Sequence, residues 1–168
     1  MFTILGTGFQ AVAAARAAKK GASLSECAEI AKKIRSNTHI YFLPSTLEYL
    51  KRGGRIGGAA ALLGSALDLK PILTVMEGRI AAHEKVRTMK KAIVRMVDIF
   101  EEQIGSKRPF YIGISQATAP ESAAMLKSEI LKRFSKTDFV EFLESGLSPV
   151  IGSHVGPGTV ALSFAPVD

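Results

Sequence analysis

The first part of the chain alternates between helical and extended patterns of apolar residues. Residues 8–20 are rich in alanine and predict a helix. Ser23, with Glu26 three positions later, has the spacing of a capping box and predicts a second helix to about Arg35. The β-branched and aromatic residues 38–43 then predict a strand.

A hairpin and an amphipathic helix are predicted in the middle of the chain. Residues 70–76 and 79–86 are extended runs that flank Glu77 and Gly78. A two-residue connection with glycine at a positive φ is typical of a β-hairpin. Thr88 follows at the position of an N-cap, before apolar residues with helical spacing.

The remaining pattern consists of three strands and one helix. Strands are predicted at residues 110–115, 138–143 and 159–164, and Pro120 predicts the start of a helix that ends near Phe134. Strands that alternate with helices predict an α/β fold, and the hairpin predicts that its β-sheet is mixed. The helices are expected to pack on this sheet.

The domain organisation follows from length. A chain of 168 residues fits one domain with a sizeable core. We therefore expect a single domain over 1–168, in which residues 1–36 are leading helices and 37–168 form the α/β core.

Residues 43–73 carry the densest set of structural signals. A capping box from Ser45 to Glu48 predicts a short helix, a pair of glycines ends it, and Arg55 follows at once. Residues 59–67 are mostly Ala and Leu and predict another helix. That helix is either a tightly packed core element or the lining of a slot for a long apolar ligand. Arg55 is either a surface cation or an anchor for an anion.

The other segment of unusual composition is residues 152–158, in which glycines and a proline surround His154. This composition predicts a loop of defined shape in which a ligand can approach the backbone. The imidazole either donates a hydrogen bond to a carboxylate or bonds a nearby carbonyl in the turn. His39 and His83 lie in predicted strands and are expected to be structural or exposed to solvent.

Composition and charge exclude several classes of function. There are 22 basic and 15 acidic residues, a net charge of +7, but the basic pairs are spread along the chain without interleaved aromatics. We therefore predict no nucleic-acid partner. No apolar run reaches about 20 residues, which predicts no stable membrane insertion. The single cysteine, Cys27, fits a cytoplasmic location.

Motifs for cofactors and metals are not found in the sequence. It contains no P-loop, no zinc-binding HExxH, no CxxC and no nucleophile elbow, and the histidines lack the spacing of metal ligands. We expect no cofactor and no metal.

Three stretches resemble the DegV family, bacterial fatty-acid-binding proteins that serve fatty acid kinase. They are TLEYLKRGGRIGGAAALLGSALDLKPIL, KVRT and IGSHVGPGTVAL. The resemblance covers nearly the whole chain and the latter part of the family's length. It implies the α/β fold of the DegV C-terminal domain, with the family's N-terminal domain absent from this chain.

The resemblance also implies a binding site. His154 corresponds to a histidine that contacts the fatty-acid carboxylate, and Arg55 corresponds to an arginine near the same head group. The segment after Arg55 is expected to line the acyl tunnel, through Ile56, Ala60, Leu63, Leu67 and Ile72.

The function implied is the binding of a long-chain fatty acid and its presentation to the catalytic subunit of a fatty acid kinase. The chain is then a lipid-binding module and not an enzyme. One alternative is a ligand-free fragment that acts in oligomerisation, because loss of a domain interface exposes apolar surface and favours self-association. Another is an enzyme that uses His154 as general base and Arg55 as anion clamp.

Overall fold

Six strands form one mixed β-sheet in the computed structural model, which describes residues 4–63 and 69–167. Their order across the sheet is β3-β2-β1-β6-β4-β5. Each neighbouring pair is antiparallel except β4 and β5, which are parallel. The strands are β1 (His39–Leu43), β2 (Lys70–Met76), β3 (Arg79–Val86), β4 (Phe110–Ala117), β5 (Phe139–Gly146) and β6 (Thr159–Pro166).

Helices cover both faces of this sheet. The described α-helices are α1 (Ile4–Lys19), α2 (Leu24–Ser36), α3 (Glu48–Arg52), α4 (Met89–Ile104), α5 (Pro120–Arg133) and α6 (Pro149–Val155). Two 3₁₀ helices add to them, Gly57–Leu62 and Lys136–Asp138. Within the described ranges, none of the helices is both long and apolar enough to cross a membrane. The prediction of an α/β fold with a mixed sheet is confirmed.

The largest core lies between the sheet and the two helices α4 and α5. Phe100 of α4 is fully buried, and its ring centroid lies 4.7 Å from those of Phe134 and Phe164 and 5.2 Å from that of Phe110. Ring pairs at these separations add to the free energy of burial. The side chains between this face of the sheet and the two helices are therefore tightly packed and buried.

The opposite face of the sheet carries two smaller clusters. In the first, Phe9 of α1 and Ile34 of α2 pack on Tyr111 of β4. In the second, Leu50 of α3 and Val155 of α6 pack with strand residues of β1, β2 and β6. Because consecutive strand residues point to opposite faces, each strand supplies one set of side chains to the large core and another to these clusters.

Three local predictions are confirmed by the structure. The capping box of Ser23 and Glu26 starts α2. Glu77 and Gly78 have φ of 50° and 77° and form the hairpin turn. Thr88 caps α4, because its hydroxyl accepts a hydrogen bond from the Lys91 amide at 3.2 Å.

The predicted capping box of Ser45 and Glu48 is wrong. Helix α3 has Leu47 at its N-cap, without a side-chain hydrogen bond. The Ser45 hydroxyl instead donates to the carbonyl of Pro157 at 2.6 Å. The hydroxyl that the local pattern assigned to the start of the helix is therefore bonded to a residue distant in sequence.

Two further expectations also need correction or restriction. The segment around His154 is a loop only from Gly156 to Gly158: Ser148 caps α6, Pro149 begins it, and His154 lies in its last turn. The predicted helix at 59–67 is a 3₁₀ helix as far as Leu62, and the rest of the prediction falls partly on residues 64–68, outside the described residues.

Replacement of Thr88 by alanine tests the local origin of α4. We expect Thr88→Ala to lower the free energy of unfolding by about 1 kcal/mol, because the Lys91 amide loses its acceptor. Thr88→Ser keeps a hydroxyl at the N-cap and should stay close to the wild type. Chemical denaturation of both variants measures the difference, and equal losses would contradict the capping role.

Candidate functional site

An apolar cavity of about 390 Å³ lies on the face of the sheet that carries α3 and α6. Its volume is within the range of ligand-binding pockets. The lining residues come from four strands, from both helices and from the turns beside them. They are Ile40, Phe42, Leu50, Gly54, Arg55, Gly57, Val75, Gly78, Arg79, Ile80, Leu147, Ile151, His154, Val155, Thr159 and Ala161.

Arg55 and His154 line this cavity together, although 99 positions separate them in the sequence (154 − 55 = 99). Arg55 follows the glycine turn that ends α3, and its amide donates to the Leu50 carbonyl at 2.8 Å. Its guanidinium donates to the Gly53 carbonyl at 3.2 Å and remains exposed. No described carboxylate forms an ion pair with Arg55. Among the described residues, no carboxylate therefore compensates its positive charge at the cavity.

His154 contributes a polar atom that has no partner within the described part of the chain. Its Nδ1 is buried and forms no hydrogen bond there. Buried polar atoms are hydrogen-bonded in the great majority of cases, and one without a partner costs free energy. The imidazole rests against Gly53, where an added Cβ would lie 2.5 Å from Nδ1. The ring is thus held at the cavity by steric contact with the turn that carries Arg55.

Helix α3 and the end of α6 also interlock through Tyr49 and Gly156. A Cβ on Gly156 would lie 2.3 Å from Cδ2 of Tyr49, so the aromatic ring covers the glycine backbone. Together with the bond from Ser45 to Pro157, this contact joins the segments that carry Arg55 and His154. Arg55 and His154 therefore lie close together because residues near each of them in the sequence pack directly against one another.

Of the five tunnel residues predicted from the resemblance, the four that the structure describes are not among the residues that line the cavity. Ile56 is partly buried in the cluster of α3 and α6, whereas Ala60 and Leu63 are exposed. Leu67 lies outside the described residues. Ile72 is fully buried in the large core, on the other face of the sheet.

Strand alternation explains the position of Ile72 and identifies the lining that was missed. In β2 the cavity is lined by Val75, which packs with the cluster of α3 and α6. Ile40 and Phe42, two positions apart in β1, point to the same side, as does Ala161 of β6. The period-2 pattern of the predicted strands indicates which residues of a strand share a face of the sheet, but it does not indicate which face carries the cavity.

The other two histidines are not among the residues that line the cavity. His39 stacks on Phe164 with ring centroids 5.1 Å apart, and burial, followed by the charge of Lys107, lowers the pKa of His39. His83 contacts Tyr41 edge to face at 5.0 Å. Among the described residues, no three His, Cys, Asp or Glu side chains lie close enough to hold a metal ion.

Comparison with known proteins identifies the family. The model of the DegV family, described as an uncharacterised protein family, matches residues 1–167. This chain belongs to the DegV family.

Relatives in sequence include two bacterial DegV proteins. A DegV domain-containing protein of Streptomyces coelicolor is 40% identical over 158 residues, which are 94% of this chain and 55% of the relative. Protein DegV of Bacillus subtilis is 36% identical over 165 residues, 95% of this chain and 56% of the relative. The chain thus spans little more than half the length of these DegV relatives.

The fold agrees with that of solved DegV structures. A DegV family protein from Thermus thermophilus, described for its fatty acid binding, superposes with a TM-score of 0.89 at 34% identity, over 96% of this chain and 57% of the other. DegV of Bacillus subtilis, described as a fatty acid binding protein, gives a TM-score of 0.81 at 32% identity, over 96% and 57%.

Substitution of Gly156 tests the contact between α3 and α6. Gly156 has φ 81° and ψ 165°, a conformation that is open essentially to glycine alone. We expect Gly156→Ala to lower the free energy of unfolding by about 1–3 kcal/mol from backbone strain, and the contact of its Cβ with Tyr49 adds to this loss.

The control for this variant is Gly146→Ala, where the added Cβ meets no atom of the described residues within 4 Å apart from its chain neighbours. Its free energy of unfolding should stay within about 0.5 kcal/mol of the wild type. Denaturant titration compares the variants, and a Gly156→Ala protein as stable as the control would show that the contact does not hold the two segments.

Proposed function

We propose that this chain is the lipid-binding domain of a DegV protein and takes up a long-chain fatty acid in the cavity beside α3 and α6. The observation that carries the proposal is that Arg55 and the imidazole of His154, whose buried Nδ1 has no hydrogen-bond partner among the described residues, line one apolar cavity. The fatty acid binding described for the related DegV proteins of Thermus thermophilus and Bacillus subtilis supports it. The chain is proposed to correspond to the C-terminal domain of the family.

The apolar lining supplies most of the proposed affinity. Burial of each CH₂ group of an acyl chain contributes about 0.8 kcal/mol. Aliphatic and aromatic side chains from β1, α6 and β6 offer this environment, among them Ile40, Phe42, Ile151 and Ala161. We propose that they contact the acyl chain in place of the tunnel residues predicted from the resemblance.

The polar end of the cavity fits a carboxylate. A carboxylate accepts hydrogen bonds and carries one negative charge, and a guanidinium and an imidazole N–H are suitable donors. In the proposed complex Arg55 supplies the positive charge and His154 a directed hydrogen bond. Because Arg55 is exposed, the head group would lie near the protein surface.

The proposed fate of this head group is phosphorylation by a separate kinase subunit. One carboxylate oxygen attacks the γ-phosphorus of ATP, the bond to ADP breaks, and an acyl phosphate and ADP are formed. A carboxylate is already ionised at neutral pH, so this step requires no general base from the binding protein. The chain would act as a cytoplasmic carrier that orients the nucleophile, while the kinase supplies the catalyst. Self-association through exposed apolar residues stays a prediction.

Truncation of the two head-group residues tests the binding proposal. Arg55→Ala and His154→Ala should each weaken the binding of palmitate about 10- to 100-fold, because each removes a hydrogen bond to a charged group. The affinity for methyl palmitate, which has no charged head, should change far less. Calorimetric titration or displacement of a fluorescent fatty acid measures both ligands.

Lys51→Ala is the matched control, since Lys51 is an exposed cation of α3 that does not line the cavity. It should leave the affinity for palmitate unchanged. A general effect of positive charge would weaken binding in all three variants and contradict the assigned contacts. A wild-type chain that binds no fatty acid would support the ligand-free alternative instead.

The carrier role is tested by reconstitution with the catalytic subunit of a fatty acid kinase. With ATP and palmitate, the wild-type chain should support formation of acyl phosphate, which hydroxylamine traps as the hydroxamate. His154→Ala should reduce the rate at limiting palmitate, because less substrate is bound. Equal product formation with and without the chain would contradict the role in presentation.

A further inference from the structure

We propose that Gly53 is a positioning residue of the head-group site, which supports the guanidinium of Arg55 and the imidazole of His154 at the same time. The inference rests on the proposed function. It assigns a role in ligand selectivity to a residue that neither touches the proposed carboxylate nor lines the cavity. Three features of the described structure carry it.

The first feature is the backbone conformation of Gly53. Its φ of −75° and ψ of −2° are open to any residue, and it lies at the C-cap of α3. The next residue, Gly54, has φ 64° and is the one for which the turn itself favours glycine. The dihedral angles therefore give no reason for glycine at position 53, and by themselves they would favour alanine, which has the lower conformational entropy when unfolded.

The second feature is the space that Gly53 leaves for His154. A Cβ at position 53 would lie 2.5 Å from Nδ1 of the imidazole and 3.4 Å from its Cε1, and it would also lie 3.1 Å from the carbonyl oxygen of Tyr49. A separation of 2.5 Å is far below van der Waals contact, so either the ring or the backbone of α6 must move. The contact of Tyr49 with Gly156 holds that backbone. The imidazole, which turns about two side-chain bonds, is the part that gives way.

The third feature is the contact of Gly53 with Arg55. The guanidinium donates to the Gly53 carbonyl at 3.2 Å, on the main chain, where an added Cβ takes no part. A substitution at position 53 therefore displaces the imidazole and leaves the support of the guanidinium in place. Gly53→Ala separates the directed hydrogen bond of His154 from the charge of Arg55.

The experiment compares Gly53→Ala with Gly152→Ala in the full chain. Gly152 lies in α6 with His154, and beyond the backbone of that helix a Cβ there meets no atom of the described residues within 4 Å. Gly53→Ala should bind palmitate about tenfold more weakly than the wild type, with little change in the affinity for methyl palmitate and only a small change in melting temperature. Gly152→Ala should bind both ligands as the wild type does.

A double-mutant cycle with His154 decides between positioning and a general structural effect. If Gly53 acts through the imidazole, Gly53→Ala causes no further loss of palmitate affinity when His154 is already alanine. A further loss in that background, an equal loss for palmitate and methyl palmitate, or wild-type affinity in the single variant would each overturn the inference.

Measurement on the protein without ligand separates this inference from the proposed function. An NMR cross-peak between the Gly53 Hα protons and the imidazole of His154 is expected in the wild type and in Gly152→Ala, and it should disappear in Gly53→Ala. If the cross-peak behaves so but the wild type binds no palmitate, the positioning contact stands and the fatty-acid proposal fails. A cross-peak that persists in Gly53→Ala overturns the positioning role.

Discussion

The direct packing of two glycine-containing segments is the constraint on which the candidate site depends. Ser45 bonds Pro157, Tyr49 covers Gly156, and the glycine after α3 receives the imidazole of His154. The contacts run in opposite directions along the two segments, so that α3 and the end of α6 lie against each other over their whole short length. Neither helix exceeds seven residues, too short to be stable alone. Their mutual packing, together with the sheet beneath them, therefore determines where the two polar side chains lie.

This packing changes the interpretation of the glycines in both motifs. The sequence suggests that glycines beside an arginine and a histidine let a ligand approach the backbone. In the structure the absent side chains leave room for Tyr49 and His154, which belong to the protein itself. The first effect of the glycines is thus to let the two segments pack closely against each other. A role in ligand binding follows from the position that they give to the imidazole.

Local signals in the sequence predict much of the fold, and contacts distant in sequence account for what they miss. Thr88 and the turn of Glu77 and Gly78 were predictable because their partners lie within a few residues. Ser45 was not, because its hydroxyl bonds a carbonyl that lies 112 positions away. Helix α6 was overlooked although Ser148 and a following proline are an ordinary helix start, since the glycines after them suggested a loop.

The site was predicted less completely than the fold, for a reason that lies in the sheet. Sequence motifs identified Arg55 and His154, and the structure places both at one cavity. The motifs did not identify the apolar residues that line the cavity, because the side of a strand that faces a cavity depends on how helices cover the sheet. Ile72, for example, lies on the side that α4 covers.

The distribution of polarity in the cavity agrees with the proposed function of a carrier that gives up its ligand's head group to another protein. A fully buried guanidinium would cost several kcal/mol when the site is empty. Arg55 avoids most of this cost because it is exposed, and the apolar contacts lie deeper, against β1 and β6. A ligand held mainly by its tail keeps its reactive end at the surface, where the active site of another protein has access to it.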